Sequence, residues 1–163
     1  MRSLTKYVRR GPAELLLAAE ALFLLAFFHV CLLVFPVYRI IRAITRGPAV
    51  EHHDEEAEAG ESEMRAMNDV ERTAETQSDE VALRVRWAVE AVARHSPIAF
   101  VCFPQTLAGY TMLRRRGVPS TMVYGVARSP ANKLTAHTWL MMGDRVVLGG
   151  EGSAQFKPVE RWG

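Results

Sequence analysis

The chain has 163 residues, 49% of them hydrophobic, and a formal net charge of +2. That suffices for one domain, or for a smaller domain with an appended segment. With no aromatic platform or groove-reading motif, it argues against a nucleic-acid partner. The only two cysteines, Cys31 and Cys102, sit in unlike contexts, so no disulfide framework is implied and a reducing, cytoplasmic setting is expected.

The first element is an apolar helix over residues 13–38. From Ala21 to Val34 only His29 interrupts the apolar run. Arg2, Lys6, Arg9 and Arg10 precede it, but Arg39, Arg42 and Arg46 follow where a secretory signal would need small residues for cleavage. Two readings stay open. The length nearly suffices for a membrane span, against which stand Glu14, Glu20, His29 and Pro36. The other, preferred reading is a helix buried on the core or on a partner. His29 and Cys31 are read as packing residues. Residues 1–48 form this segment.

Residues 49–78 read as an acidic linker or loose helix. Twelve of the 18 acidic residues fall between Glu51 and Glu80, and Val50 to Ala66 lacks apolar periodicity. A helix is expected from Ser78 or Asp79, either of which can cap it. Val81, Val85, Ala88, Val89 and Val92 mark its buried face. It ends at His95-Ser96-Pro97, with His95 meeting the helix dipole.

The third segment, 79–163, carries the chemistry. A short apolar run, Ile98 to Val101, leads into Cys102-Phe103-Pro104. Proline suits a first helical turn, so Cys102 is predicted at the N-terminus of a helix whose apolar face runs Leu107, Ala108, Tyr110, Met112, Leu113. Gly117 stops it. Arg114-Arg115-Arg116 reads as its solvated end. Unpaired N–H groups and the positive end of the helix dipole favour a thiolate there, and the same donors can hold an oxyanion. Strands are expected at Thr121–Val126, Ala136–Met142 and Arg145–Leu148, the last two joined by a Gly143-Asp144 hairpin. His137 then lies near a strand start, with Trp139 on the same face. The expected class is α+β: a helix bearing Cys packed on a small antiparallel sheet bearing His, as in papain-like hydrolases, with an apolar N-terminal helix. A zinc reading of Cys102, His137 and His95 lacks paired ligand spacing, and no metal or cofactor is expected.

Four stretches sharpen this: Cys102 to Ala108, Leu113 to Pro119, Val123 to Val126, and Ala136-His137-Thr138-Trp139. Together with Gly149-Gly150-Glu151 and Phe156-Lys157-Pro158, they closely resemble the transglutaminase-like leader peptidases of lasso-peptide biosynthesis. The resemblance covers about Ser96 to Trp162. It implies a Cys-His-Asp triad that cuts a leader from a ribosomally made precursor peptide. It also implies a leader-recognition protein, separate here because nothing in the chain looks like one, and a macrolactam-forming cyclase. The sequence departs from the pattern at the acid, whose expected position falls at Gly149-Gly150. Glu151 is ranked as the third member and Asp144 as the alternative; Asn or a backbone carbonyl could also serve. Gln105, one turn after Cys102, is expected at the cleft rim, and Trp139 as a wall of the cleft or a core aromatic. The rival reading is a non-catalytic scaffold of the same fold that binds the precursor or the cyclase. A third is a small protein associated with the membrane through 13–38.

Overall fold

A computed structural model describes residues 11–45, 61–96, 101–129 and 132–163. Four helices come first: α1 (Pro12–Val34), α2 (Val37–Thr45), α3 (Glu61–His95) and α4 (Cys102–Arg114). Then come β1 (Thr121–Arg128), β2 (Leu134–Met142), β3 (Arg145–Leu148), a 3-10 turn at Ser153–Gln155, and β4 (Lys157–Trp162). The strands form one antiparallel sheet in the order β3-β2-β1-β4. The α+β architecture with an apolar N-terminal helix is therefore the observed one.

One apolar cluster joins the helices to one face of the sheet. It runs from Leu17, Leu24, Leu25 and Phe28 of α1 through Val85 and Val89 of α3 and Leu107, Met112 and Leu113 of α4 to Met122, Leu140 and Leu148. The buried positions of α1 recur at helical spacing on one side. The opposite side is apolar too and open to solvent: Leu16 is 72% exposed, Phe23 67% and Leu33 75%. By length and composition α1 could cross a bilayer, and just over a quarter of its most apolar stretch is buried within the fold. Pro36 separates α1 from α2, since proline cannot continue the backbone ladder.

Where the sequence suggested a helix starting at Ser78 or Asp79, α3 begins at Glu61. Its first turns are built from Glu, Met, Arg and Ala, good helix formers without an apolar stripe. Asp79 is thus an interior residue, not a cap, and it accepts hydrogen bonds from Arg145 on the β2–β3 hairpin. That pairing holds the Asp79 carboxyl below its usual range. The expected acidic spacer up to residue 60, and Ile98 to Phe100, lie outside the described residues.

Helix α4 ends as its sequence suggests. Gly117 sits at φ 70°, and the Val118 and Gly117 N–H groups donate back to the Leu113 and Arg114 carbonyls, a left-handed cap. The arginine triplet is more than a solvated helix end. Arg115 and Arg116 pair with Glu20 of α1, and Arg114 donates to the Ile44 carbonyl near the C-terminus of α2. Burial raises the Glu20 carboxyl, but hydrogen bonds and charge from Arg116 and Arg115 bring it below the usual carboxylate range.

Candidate active site

Cys102 is the first residue of α4. Val101, which precedes it, offers no side-chain cap, so the first backbone N–H groups of the helix lack intrahelical acceptors. Pro104 in the first turn has no N–H to offer, which leaves those of Cys102 and Phe103. Cys102 itself is half-buried and free of any disulfide.

The histidine comes from β2. β3 pairs only with Leu140 to Met142, so the early part of β2 has β1 on one side and the turn after β3 on the other. His137 stands opposite Gly125 of β1 and hydrogen-bonds through Nε2 to the Gly149 carbonyl at 2.8 Å. In the neutral ring a carbonyl partner requires Nε2 to carry the proton, which leaves the Nδ1 lone pair as the basic site.

Aromatic rings hold the imidazole in place. Trp139 stacks on it, with centroids 6.1 Å apart and planes at 23°, and Phe156 packs on it at 5.1 Å. Space for those rings comes from Gly125, where a methyl group would lie 2.7 Å from the Trp139 ring. Gly149 is constrained more severely. Its φ is 73°, and a Cβ there would meet the Thr138 carbonyl oxygen at 2.8 Å. A side chain at 149 would be both strained and in collision with β2, so no aspartate fits at the first of the two positions, Gly149 and Gly150, where the resemblance would put one.

Cys102 and His137 line one cavity of about 660 Å³, with Gln105, Thr106, Gly149, Gly150 and Glu151. Among the described residues their side chains make no hydrogen bond to each other, as is common before substrate tightens a catalytic site. Helix α3 closes the other wall with Arg86, Glu90 and Arg94, the first two ion-paired at 2.8 Å.

Of the residues singled out from the sequence, Cys102, His137, Gln105 and Glu151 meet at this cavity. Glu151 is exposed, and His137 bonds the Gly149 backbone instead of its carboxylate. Asp144 does not join them. It sits at the hairpin tip and lines a separate cavity with Asp79 and Arg145, because a two-residue turn points its side chains beyond the sheet. Trp139 is only 5% exposed and lies against His137 rather than in the cavity wall. His95 bonds the Ala91 carbonyl one turn back in its own helix.

Sequence reasoning missed a buried pair of threonines. Thr106 and Thr138 are each 2% exposed, and their hydroxyls lie 3.1 Å apart. Thr106 Oγ1 is also 2.9 Å from the Cys102 carbonyl and 3.3 Å from the Thr138 carbonyl. One hydroxyl thus ties the turn that bears the cysteine to the residue after the histidine. The only sequence signal was position: Thr106 is four residues after Cys102, and Thr138 follows His137.

A family model, the transglutaminase-like superfamily, matches residues 34–161. The chain belongs to that superfamily. Cysteine proteases are among its members. The match begins at the last residue of α1 and takes in α2, α3, α4 and most of the sheet. No curated protein and no solved structure gives a significant match.

Proposed function

We propose that this transglutaminase-like protein is a cysteine peptidase that removes the leader from a ribosomally synthesised lasso-peptide precursor. The observation that carries the chemistry is Cys102, at an uncapped helix N-terminus, in one cavity with a histidine whose Nε2 is already anchored. The substrate class rests on the resemblance of Cys102 to Ala108, Leu113 to Pro119, Val123 to Val126 and Ala136 to Trp139.

In this reading His137 Nδ1 takes the Cys102 proton and the sulfur attacks the scissile carbonyl carbon. The oxyanion is met by the backbone N–H groups that open α4. On collapse the C–N bond breaks, and the imidazolium returns its proton to the leaving amine, giving a thioester. Water, deprotonated by His137, then attacks the thioester, releasing a carboxylic acid and restoring the thiol. The Gly149 carbonyl fixes the tautomer, the part an acid plays in a triad. The Glu151 carboxylate, at the cavity edge, adds negative potential for the imidazolium without touching it.

The partners proposed are the precursor peptide, a separate leader-recognition protein and a macrolactam-forming cyclase. The setting is cytoplasmic, with both cysteines free. The outward apolar side of α1 is the surface for any membrane association; partition of the chain after a carbonate wash tests it.

The deciding experiment incubates a candidate precursor with the chain and its recognition partner and follows the products by mass spectrometry. Cys102→Ala should abolish leader release while the protein still folds. Release by that variant at the wild-type rate would sink the mechanism. An inert Cys102 toward iodoacetamide near neutral pH would favour a non-catalytic scaffold.

A further inference from the structure

An apolar hollow opens at the start of α4 and shares no lining residue with the His137 cavity. It encloses about 720 Å³ between α2 and the β1–β4 end of the sheet. Its walls carry Tyr38, Phe103, Tyr124 and Trp162, with Arg42 and Glu160 also among the lining residues. Phe103 is the residue next to Cys102. Consecutive α-carbons are about 3.8 Å apart, so Cys102 opens on one cavity and its neighbour on the other.

An extended peptide advances about 3.3–3.4 Å per residue. With its scissile carbonyl at the Cys102 sulfur, it would bring a side chain one to three residues away over the Phe103 hollow. Beside that hollow β4 is the outer strand of the sheet, paired among the described residues with β1 alone. Its outward backbone groups can take an extended chain as a further strand. The two sides of the nucleophile also differ in chemistry. The His137 side carries Arg86, Glu90, Arg94 and Glu151. The Phe103 side is aromatic, and its one cation and one anion match the carbonyl and N–H of a peptide backbone better than either sign of side chain. A charged side chain there would lose water against aromatic walls.

We propose that this hollow is the subsite for an uncharged apolar side chain, aliphatic or aromatic, within three residues of the bond that is cut. The assignment rests on the peptidase reading above. It makes Tyr38, Phe103, Tyr124 and Trp162 specificity-determining residues and gives the cleft a polar and an apolar end.

The test uses acetylated tripeptide amides of the form Gly-Xaa-Gly, with Xaa as Gly, Leu, Phe, Asp or Lys, added to the full chain. Binding is read from the slowing of iodoacetamide alkylation at Cys102, mapped by mass spectrometry. The Leu and Phe peptides should protect at concentrations about tenfold lower than the Gly peptide, since burying such a side chain is worth at least that much. The Asp and Lys peptides should gain nothing. Tyr38→Asp should remove the advantage, and because Tyr38 is 63% exposed the fold should survive; Arg42→Ala is a second, milder variant that should weaken protection by every peptide. Equal protection by all five peptides, with Cys102 alkylating readily, would overturn the subsite and leave the peptidase reading standing. A preference for Leu and Phe that survives Tyr38→Asp would also overturn it. A Cys102 that does not alkylate at all would bring down the peptidase reading and the subsite together.

Discussion

Replacing Thr106 with valine removes one hydroxyl and almost no volume. The native hydroxyl bonds Thr138 at 3.1 Å and the Cys102 carbonyl at 2.9 Å. The bond to the carbonyl four residues back adds little, since such bonds do not strengthen helices. The bond to Thr138 matters more, because Thr138 is 2% exposed and water cannot take the place of its partner. A net hydrogen bond of about 0.5–1.5 kcal/mol disappears, and a buried hydroxyl is left unmatched at about 1–3 kcal/mol. We expect a loss of about 2–3 kcal/mol in chemical denaturation, which lowers Tm by roughly 4–10 °C for a chain of this size. Adding Thr138→Val removes the orphaned group, so the double variant should recover about 1–2 kcal/mol relative to the sum of the single changes. Catalysis should respond separately. The tie sets the cysteine turn against the histidine strand, and a shift of about 1 Å there is worth up to about a hundredfold in rate. The drop should appear in kcat, with KM little changed. Strict additivity of the two stability losses would refute the argument, because hydroxyls that do not meet cannot couple.

Three further outcomes follow from the same geometry. Gly149→Asp places the acid where the family pattern calls for it, yet it should destabilise the protein by about 1–2 kcal/mol from left-handed strain alone and lower cleavage; a gain in cleavage would show that the carbonyl is not the orienting group. Glu151→Gln should reduce kcat less than about tenfold, because its carboxylate acts through space across an exposed mouth; loss on the scale of His137→Ala would make Glu151 the true third member. The ion pairs of Glu20 with Arg115 and Arg116 should stabilise the α1–α4 contact above the ordinary carboxylate pKa of 4.5 and fade as pH falls through the lower folded-state value. Melting curves of wild type and Glu20→Gln should therefore differ at pH 7, by less than about 1 kcal/mol because the pair is partly solvated, and converge in acid below the lowered folded-state value.

Much of this site was legible because its elements carry strong local signals. Pro104 and Gly117 bracket α4, Gly143-Asp144 marks the hairpin, and short apolar runs between turn residues read as β1 to β3. The opening turns of α3 could be read only as linker or loose helix, because a stretch without an apolar period does not separate the two, and the helix is what forms from Glu61. β4 was hidden for a related reason. Lys157, Pro158, Glu160 and Arg161 suit an outer strand, and the pattern they make is that of a loop. Type and position single out Cys102 and His137 as candidates, and the structure brings both to one cavity. Beside that cavity lie the Thr106–Thr138 contact, 32 residues apart in sequence, and a left-handed turn at Gly149. Neither leaves a trace that one sequence can show. The resemblance pointed to an acid at 149–150, and what stands there is the absence of a side chain.

That absence has a consequence for genetics. A backbone carbonyl has no side chain to delete and no proton to lose. On the peptidase reading proposed above, a mutational scan for the third member of this site should return two indispensable side chains and a glycine whose loss looks like misfolding. The orientation of His137 is inherited from the path of the chain.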